Sequence, residues 1–198
     1  MKLLIDKEAV RTEDIGYLDK YQEGWCPDNF VASWSQSAGH TEYKLYSYLS
    51  KLIPDNSIIL DIGTYYGGSA LALSANPTQT VLSYDIEQFS THDNLKKDNI
   101  QLFIKNFMEE DYNWNNIHLI MIDVSPHDGL QEPPMIDYII NQGFEGLIIL
   151  DDISDMFPGM LTMWDSLPYE KYQVTDIGHF SGTGILNIGN KFEIEIKG

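Results

Sequence analysis

The residues best suited to chemistry in this sequence are a glycine turn and a set of aspartates that close apolar runs. The stretch "LDIGTYYGGSALALS", residues 60–74, reads Asp61-x-Gly63-x-x-x-Gly67-x-Ser69. Gly63 permits a tight strand-to-helix turn, and Gly67 lets bare backbone approach a ligand closely. A dinucleotide-binding turn reads G-x-G-x-x-G and offers a pyrophosphate its backbone. That pattern is absent, and an acid two residues before the first glycine opposes a pyrophosphate while suiting an amino group or a sulfonium. A strand–helix turn with no ligand is the plainer alternative. Asp85 follows in "VLSYDIEQF", where a strand-end carboxylate can accept hydrogen bonds from both hydroxyls of a ribose. Glu87 could do likewise, and a solvated acid is the alternative for either. Asp123 in "IMIDVSPHDG" and Asp151 and Asp152 in "LIILDDISD" close two further runs. Five carboxylates on one rim are costly unless something cationic sits among them.

The elements that must position these groups follow from the hydrophobic pattern. Leu45, Tyr48, Leu49 and Leu52 recur at helical spacing, and Pro54 stops that helix. Strand-like runs then cover 57–61, 80–85, 100–105, 117–123 and 146–151. Helix-like segments lie between them at 68–74, 90–97, 108–114 and 135–142. Repeated strand–helix units predict a parallel sheet with helices on both faces. Beyond Asp152 the pattern predicts a helix over 159–167 and then runs at 172–177 and 185–196. The loop "GHFSGTG" between those runs suggests a closing antiparallel pair. The expectation is an α/β chain folded as a three-layer α/β/α sandwich of about seven strands. It is mostly parallel, with an antiparallel C-terminal strand, and forms one domain over 1–198. Residues 1–40 look irregular and are expected to lie over the top of the sheet as an extension.

Composition narrows the partners. The chain has 198 residues, enough for one sizeable core, and a formal net charge of −18. Such a field repels polyanions, and no basic cluster exceeds Lys96-Lys97, so neither nucleic acid nor an anionic membrane surface is an expected partner. Cys26 is the lone cysteine, so no internal disulfide forms. No apolar run is long enough to span a bilayer, the start does not read as a signal peptide, and a cytoplasmic location is the expectation. A homo-oligomer stays open.

On these residues the sequence resembles the class I S-adenosylmethionine-dependent methyltransferases. "ILDIGTYYGGSALALS" followed by "VLSYDIEQ" looks like their first two motifs, and the likeness runs from about Tyr43 to Ile153. The resemblance implies a Rossmann-like sheet and S-adenosylmethionine as cofactor. It places Asp61, Gly63, Tyr65 and Gly67 at the cofactor's amino-acid part, with Ser69 near its carboxylate, and Asp85 at the ribose. The adenine falls near Asn106, Phe107 and Met108, for which strand-end packing is a serious competitor. The resemblance is closest to metal-dependent small-molecule O-methyltransferases of the catechol and macrocin type. There Asp123, Asp151 and Asp152 match the metal positions. Three oxygen ligands suit magnesium, manganese or calcium, and a bound cation would favour the ionised form of an acceptor hydroxyl. Asp-Asp after a strand is also an ordinary helix cap, and Asp123 can orient a substrate without metal.

The sequence also departs from that pattern. A lysine base is expected three residues after Asp123, and Pro126 stands there; His127 is next and is the candidate general base. His179, Trp34 and His40 are candidates for the acceptor site, with Trp25 and Tyr43 beside them, although an aromatic packing cluster explains the tryptophans equally. His92 and His118 receive no role. The expected function is methyl transfer to a hydroxyl of a small molecule. A nicotinamide-dependent oxidoreductase and a cofactor-binding module without catalysis are the alternatives.

Overall fold

The computed structural model describes residues 1–23, 40–89 and 92–198. In chain order the elements begin with β1 (Lys2–Asp6), α1 (Lys7–Arg11), a 3-10 turn (Gly16–Tyr21), α2 (His40–Leu52) and β2 (Ile58–Ile62). Next come α3 (Gly68–Leu73), β3 (Thr80–Asp85), β4 (Ile100–Ile104) and β5 (Ile117–Ile122). The remainder is α4 (Glu132–Asn141), β6 (Gly146–Leu150), α5 (Pro158–Ser166), β7 (Glu170–Gln173), β8 (Gly184–Ile188) and β9 (Glu193–Lys197). Seven strands form one sheet in the order β4-β3-β2-β5-β6-β8-β7. The first five run parallel, and β8 is antiparallel to both neighbours. The mixed sheet with helices on both faces is the expected one.

Alternation along each strand divides the core. Ile59, Val81, Leu119, Met121 and Ile149 face α2 and α3. Leu60, Ile62, Ile120, Ile122 and Ile148 face α4 and α5. Strand β6 is buried along all five residues, as a central strand covered on both faces requires. The α4 helix starts earlier than the predicted 135, at Glu132, because Pro133 and Pro134 occupy the first turn, where missing N–H groups cost nothing.

Several expectations are corrected. The predicted helix over 108–114 is two separate 3-10 turns, Phe107–Glu109 and Trp114–Asn116, and the run over 172–177 is strand only as far as Gln173, with a 3-10 turn over Thr175–Ile177. Residues 2–21 are regular rather than irregular. Asp6 caps α1 through Glu8 N and Ala9 N, and Val10, Ile15 and Leu18 are buried against α2. The predicted 185–196 strand is two strands: Gly189 (φ 69°) and Asn190 (φ 49°) turn the chain, and β9 leaves the large sheet to pair in parallel with β1. The predicted helix over 90–97 is, among the described residues, a single 3-10 turn (His92–Asn94), because His92 and Leu95 fold inward against the glycine turn and Lys97 reaches the Ser74 carbonyl, instead of keeping a polar outer face.

Candidate active site

The chain's progress across the sheet reverses between β2 and β5, so a crevice opens at the carboxyl ends of those strands. Ile62 pairs with Ile122 there, and Asp123 N donates to Ile62 O at 2.9 Å. Gly63 is therefore forced against Asp123: a Cβ on it would lie 1.7 Å from the Asp123 carbonyl oxygen, and its φ is +93°. The turn that follows is held from two sides. Tyr65, with φ 47°, donates its N–H to Asp85 Oδ2 at 2.8 Å, and its carbonyl accepts from His92 Nε2 at 2.5 Å. Gly67, with φ +92°, closes against the Leu95 side chain. Asp85 Oδ1 accepts from Glu87 N at 3.0 Å.

Asp61 is not on the rim as expected. It sits one residue inside β2, fully buried, because strand alternation turns it under the glycine turn toward Ser83, whose hydroxyl donates to Asp61 Oδ2 at 2.5 Å. Burial pushes its pKa up to about 6; the Ser83 and Ser69 hydroxyls pull against that rise.

The crevice widens into a cavity of about 930 Å³. Gly63, Tyr65, Asp85, Glu87, Asn106 and Phe107 form one side of it, and Asp123, His127, Asp151, Asp152 and His179 form the other. On the second side two mixed clusters meet. His127 Nδ1 lies 2.8 Å from Asp152 Oδ2 and 3.5 Å from Asp123 Oδ1. His179 Nδ1 lies 3.3 Å from Asp151 Oδ2, 3.7 Å from Glu42 Oε2 and 4.0 Å from Asp152 Oδ1. Burial, followed by the charge of Asp151, raises the Asp123 pKa to about 7. The hydrogen bond to Asp152 raises that of His127. Burial opposes ionisation of Asp152, but hydrogen bonds from His127 and Ser181 outweigh it and hold the carboxyl below its ordinary value. Tyr65, His127 and Asp152 all adopt positive φ, uncommon for residues other than glycine and concentrated here on one cavity.

No family model matches the sequence, and no curated protein does. Solved structures do. A methyltransferase from Geobacter sulfurreducens superposes with a TM-score of 0.58 at 13% identity, covering 87% of this chain and 94% of that one. A protein assigned as a caffeoyl-CoA O-methyltransferase from Staphylococcus aureus gives 0.53 at 16% identity, over 80% and 90% of the two chains. A precorrin-6y C5,15-methyltransferase from Geobacter metallireducens gives 0.53 at 17% identity, over 76% and 82%. The fold is that of the class I methyltransferases. At these identities the methyltransferase likeness concerns architecture, and the site residues rest on the geometry of this chain.

That geometry brings most of the sequence candidates together on the methyltransferase sheet. Gly67 shapes the turn from behind without lining the large cavity. Ser69 lines a smaller cavity of about 50 Å³ next to it. Met108 is partly buried and packs against the core, with its N–H on Asn106 Oδ1 and its carbonyl accepting from the Tyr138 hydroxyl. Trp34, with Trp25, lies outside the described residues, and so does the side chain of His40. The sequence reading missed three residues. Ile86 presents an apolar side chain, 80% exposed, to the cavity beside Asp85; its place between Asp85 and Glu87 was a legible signal. Glu42 and His92 arrive from α2 and from the segment after β3, and no local pattern marks either.

Proposed function

We propose that this chain transfers the methyl group of S-adenosylmethionine to a hydroxyl of a small molecule, aided by a divalent cation. The observation that carries the reading is the Gly63–Gly67 turn, braced by Asp85 on the cavity side and facing a wall of carboxylates and imidazoles across one cavity. The backbone of the turn at Gly63 and Tyr65, which lines the cavity, suits the amino-acid end of the cofactor, Asp85 and Glu87 suit the ribose hydroxyls, and Ile86 with Phe107 suits a flat base.

The donor set fits a cation. The donor atoms around His179, spaced 3.3–4.0 Å apart, fall within the separations of ligands held by metal–ligand bonds of about 2.0–2.3 Å. Carboxylates alone suit magnesium, manganese or calcium; the His179 imidazole adds a nitrogen donor and moves the preference toward manganese or another first-row ion. A bound cation would lower the pKa of an acceptor hydroxyl. The rest of the mechanism belongs to the chain. The turn aims the methyl-bearing sulfur at the carboxylate wall, and positioning supplies much of the rate. His127, with Nδ1 on Asp152, leaves Nε2 to take the hydroxyl proton. The acceptor oxygen forms its bond to the methyl carbon as the carbon–sulfur bond breaks, yielding an ether and S-adenosylhomocysteine. Among the described residues Lys105 is the lysine of the cavity wall, and it is paired with Glu110; carboxylates outnumber the basic groups there. That balance favours neutral or cationic acceptors over nucleic acids or coenzyme A esters.

The test is calorimetry with S-adenosylmethionine, S-adenosylhomocysteine and NADH, followed by a methyl-transfer screen over sugars, catechols and hydroxylated natural products with Mn²⁺, Mg²⁺ or chelator. Tight uptake of NADH without heat from either sulfur nucleoside would falsify the reading.

A further inference from the structure

The glycine turn is held from behind by an imidazole that lines neither cavity. His92 is 5% exposed and comes from the segment after β3, which folds back onto the turn. Its Nε2 lies 2.5 Å from the Tyr65 carbonyl oxygen. A carbonyl can only accept, so Nε2 carries the hydrogen and donates. Nδ1 is then the bare nitrogen, and it is buried with no hydrogen-bond partner among the described residues. A buried nitrogen left unpaired is costly, and an apolar side chain in this place would avoid that cost. What the histidine supplies and an apolar residue cannot is the Nε2–H.

That bond has a geometric consequence. Tyr65 holds φ at 47°, a left-handed conformation that a residue with a Cβ keeps only where its surroundings enforce it. Two bonds enforce it, one at each end of the residue: the N–H on Asp85 Oδ2 at 2.8 Å and the carbonyl on His92. Without the His92 donor the carbonyl is left unpaired, and the backbone is free to relax toward the right-handed region. That rotation would swing the N–H away from Asp85, the carboxylate that suits the ribose. Leu95, three residues on, presses its side chain on Gly67, so the same segment grips the turn at a second place. We propose that His92 is a positioning residue: its Nε2–H holds the Tyr65 peptide, and through it the Asp85 carboxylate, in the arrangement that receives the cofactor's ribose. The assignment rests on the methyltransferase reading above. The plainer role for His92 is ring packing, since it also stands edge-on to Phe89 with centroids 5.6 Å apart.

Calorimetry on the full chain separates the two roles, with S-adenosylhomocysteine and 5′-methylthioadenosine as probes, at a temperature where circular dichroism shows every variant folded. Both probes carry the ribose. His92→Phe keeps a ring and loses the donor; His92→Gln loses the ring and keeps an amide N–H at the reach of Nε2. His92→Phe is expected to weaken both probes about tenfold, the scale of one buried hydrogen bond, and His92→Gln to recover most of that loss. A packing role predicts the reverse order. His92→Phe binding as tightly as His92→Gln, or as tightly as the native chain, would overturn the assignment. Coupling gives a second arm: His92→Phe should cost little further affinity in a chain already carrying Asp85→Ala, and an undiminished loss there would overturn the route through Asp85. Nitrogen-15 resonance of the ligand-free native chain should show His92 protonated at Nε2 and bare at Nδ1; a hydrogen on Nδ1 alone would overturn the brace. Uptake of neither probe by the native chain would bring down the cofactor reading itself, a result kept distinct because the nitrogen-15 arm needs no ligand.

Discussion

Replacing Asp61 by Asn isolates the energetic consequence of a carboxyl group sealed beneath the glycine turn. Asp61 is fully buried and its pKa is pushed up to about 6 from 3.8, with burial the largest cause. The folded state therefore binds the proton more tightly than the unfolded chain does. The group's contribution to stability is fully present below the unfolded value near 3.8 and is lost as pH rises through about 6. Across the whole window the shift of about 2 units is worth about 3 kcal/mol, at about 1.4 kcal/mol per unit. At pH 5, one unit below the folded value, roughly half of it remains, about 1.4 kcal/mol; at pH 7 almost none does. Asparagine is neutral at every pH, nearly isosteric, and keeps an oxygen to accept from Ser83. Asp61→Asn should therefore gain stability relative to the native chain by about 1.4 kcal/mol more at pH 7 than at pH 5. Urea unfolding of both proteins at pH 5, 6, 7 and 8 measures this difference directly, and subtraction cancels every other titrating group. A difference in stability that stays flat across those four pH values would refute the claim that burial raises the Asp61 pKa.

Other perturbations test the site. Asp85→Ala should weaken S-adenosylhomocysteine by about 1–3 kcal/mol, because it strips an acceptor from the ribose and the N–H brace from Tyr65; unchanged calorimetric affinity would show that Asp85 does not read the ribose. Gly63→Ala places a methyl group 1.7 Å from the Asp123 carbonyl and should destabilise the chain by more than about 3 kcal/mol, read as a lower urea midpoint. Asp152→Ala should abolish Mn²⁺ uptake, followed by the loss of free-ion paramagnetic resonance signal in the native chain, while S-adenosylhomocysteine binding is retained. Full methyl transfer in chelator would remove the metal from the mechanism.

The parallel sheet and its glycine turn were readable because their causes are local. Apolar runs of strand length alternate with helical spacing, and the Gly63–Gly67 pattern answers to steric demands a few residues away. Two of the misreadings share one reason: they concern groups whose partner is remote in sequence. The break at Gly189-Asn190 carries a turn signal, but only β1, at the other end of the chain, gives β9 a strand to pair with. Residues 92–97 carry enough polarity to pass for a solvated helix until Ser74, 23 residues back, appears as the acceptor for buried Lys97.

The aspartates show the same division within one residue type. Asp85, Asp123, Asp151 and Asp152 follow strands in a way hydrophobic runs disclose, and the sequence alone determined that a carboxylate rim would exist. Tertiary structure decided what that rim is made of. It turned Asp61 inward, since side-chain direction along a strand depends on register and not on the proximity of a turn. It brought His179 and Glu42 to Asp151, and His127 to Asp123 and Asp152, from segments separated by as much as 137 positions. Composition and spacing record which groups a chain owns; only close packing of distant segments fixes which of them share a cavity, and so which charges must be neutralised together.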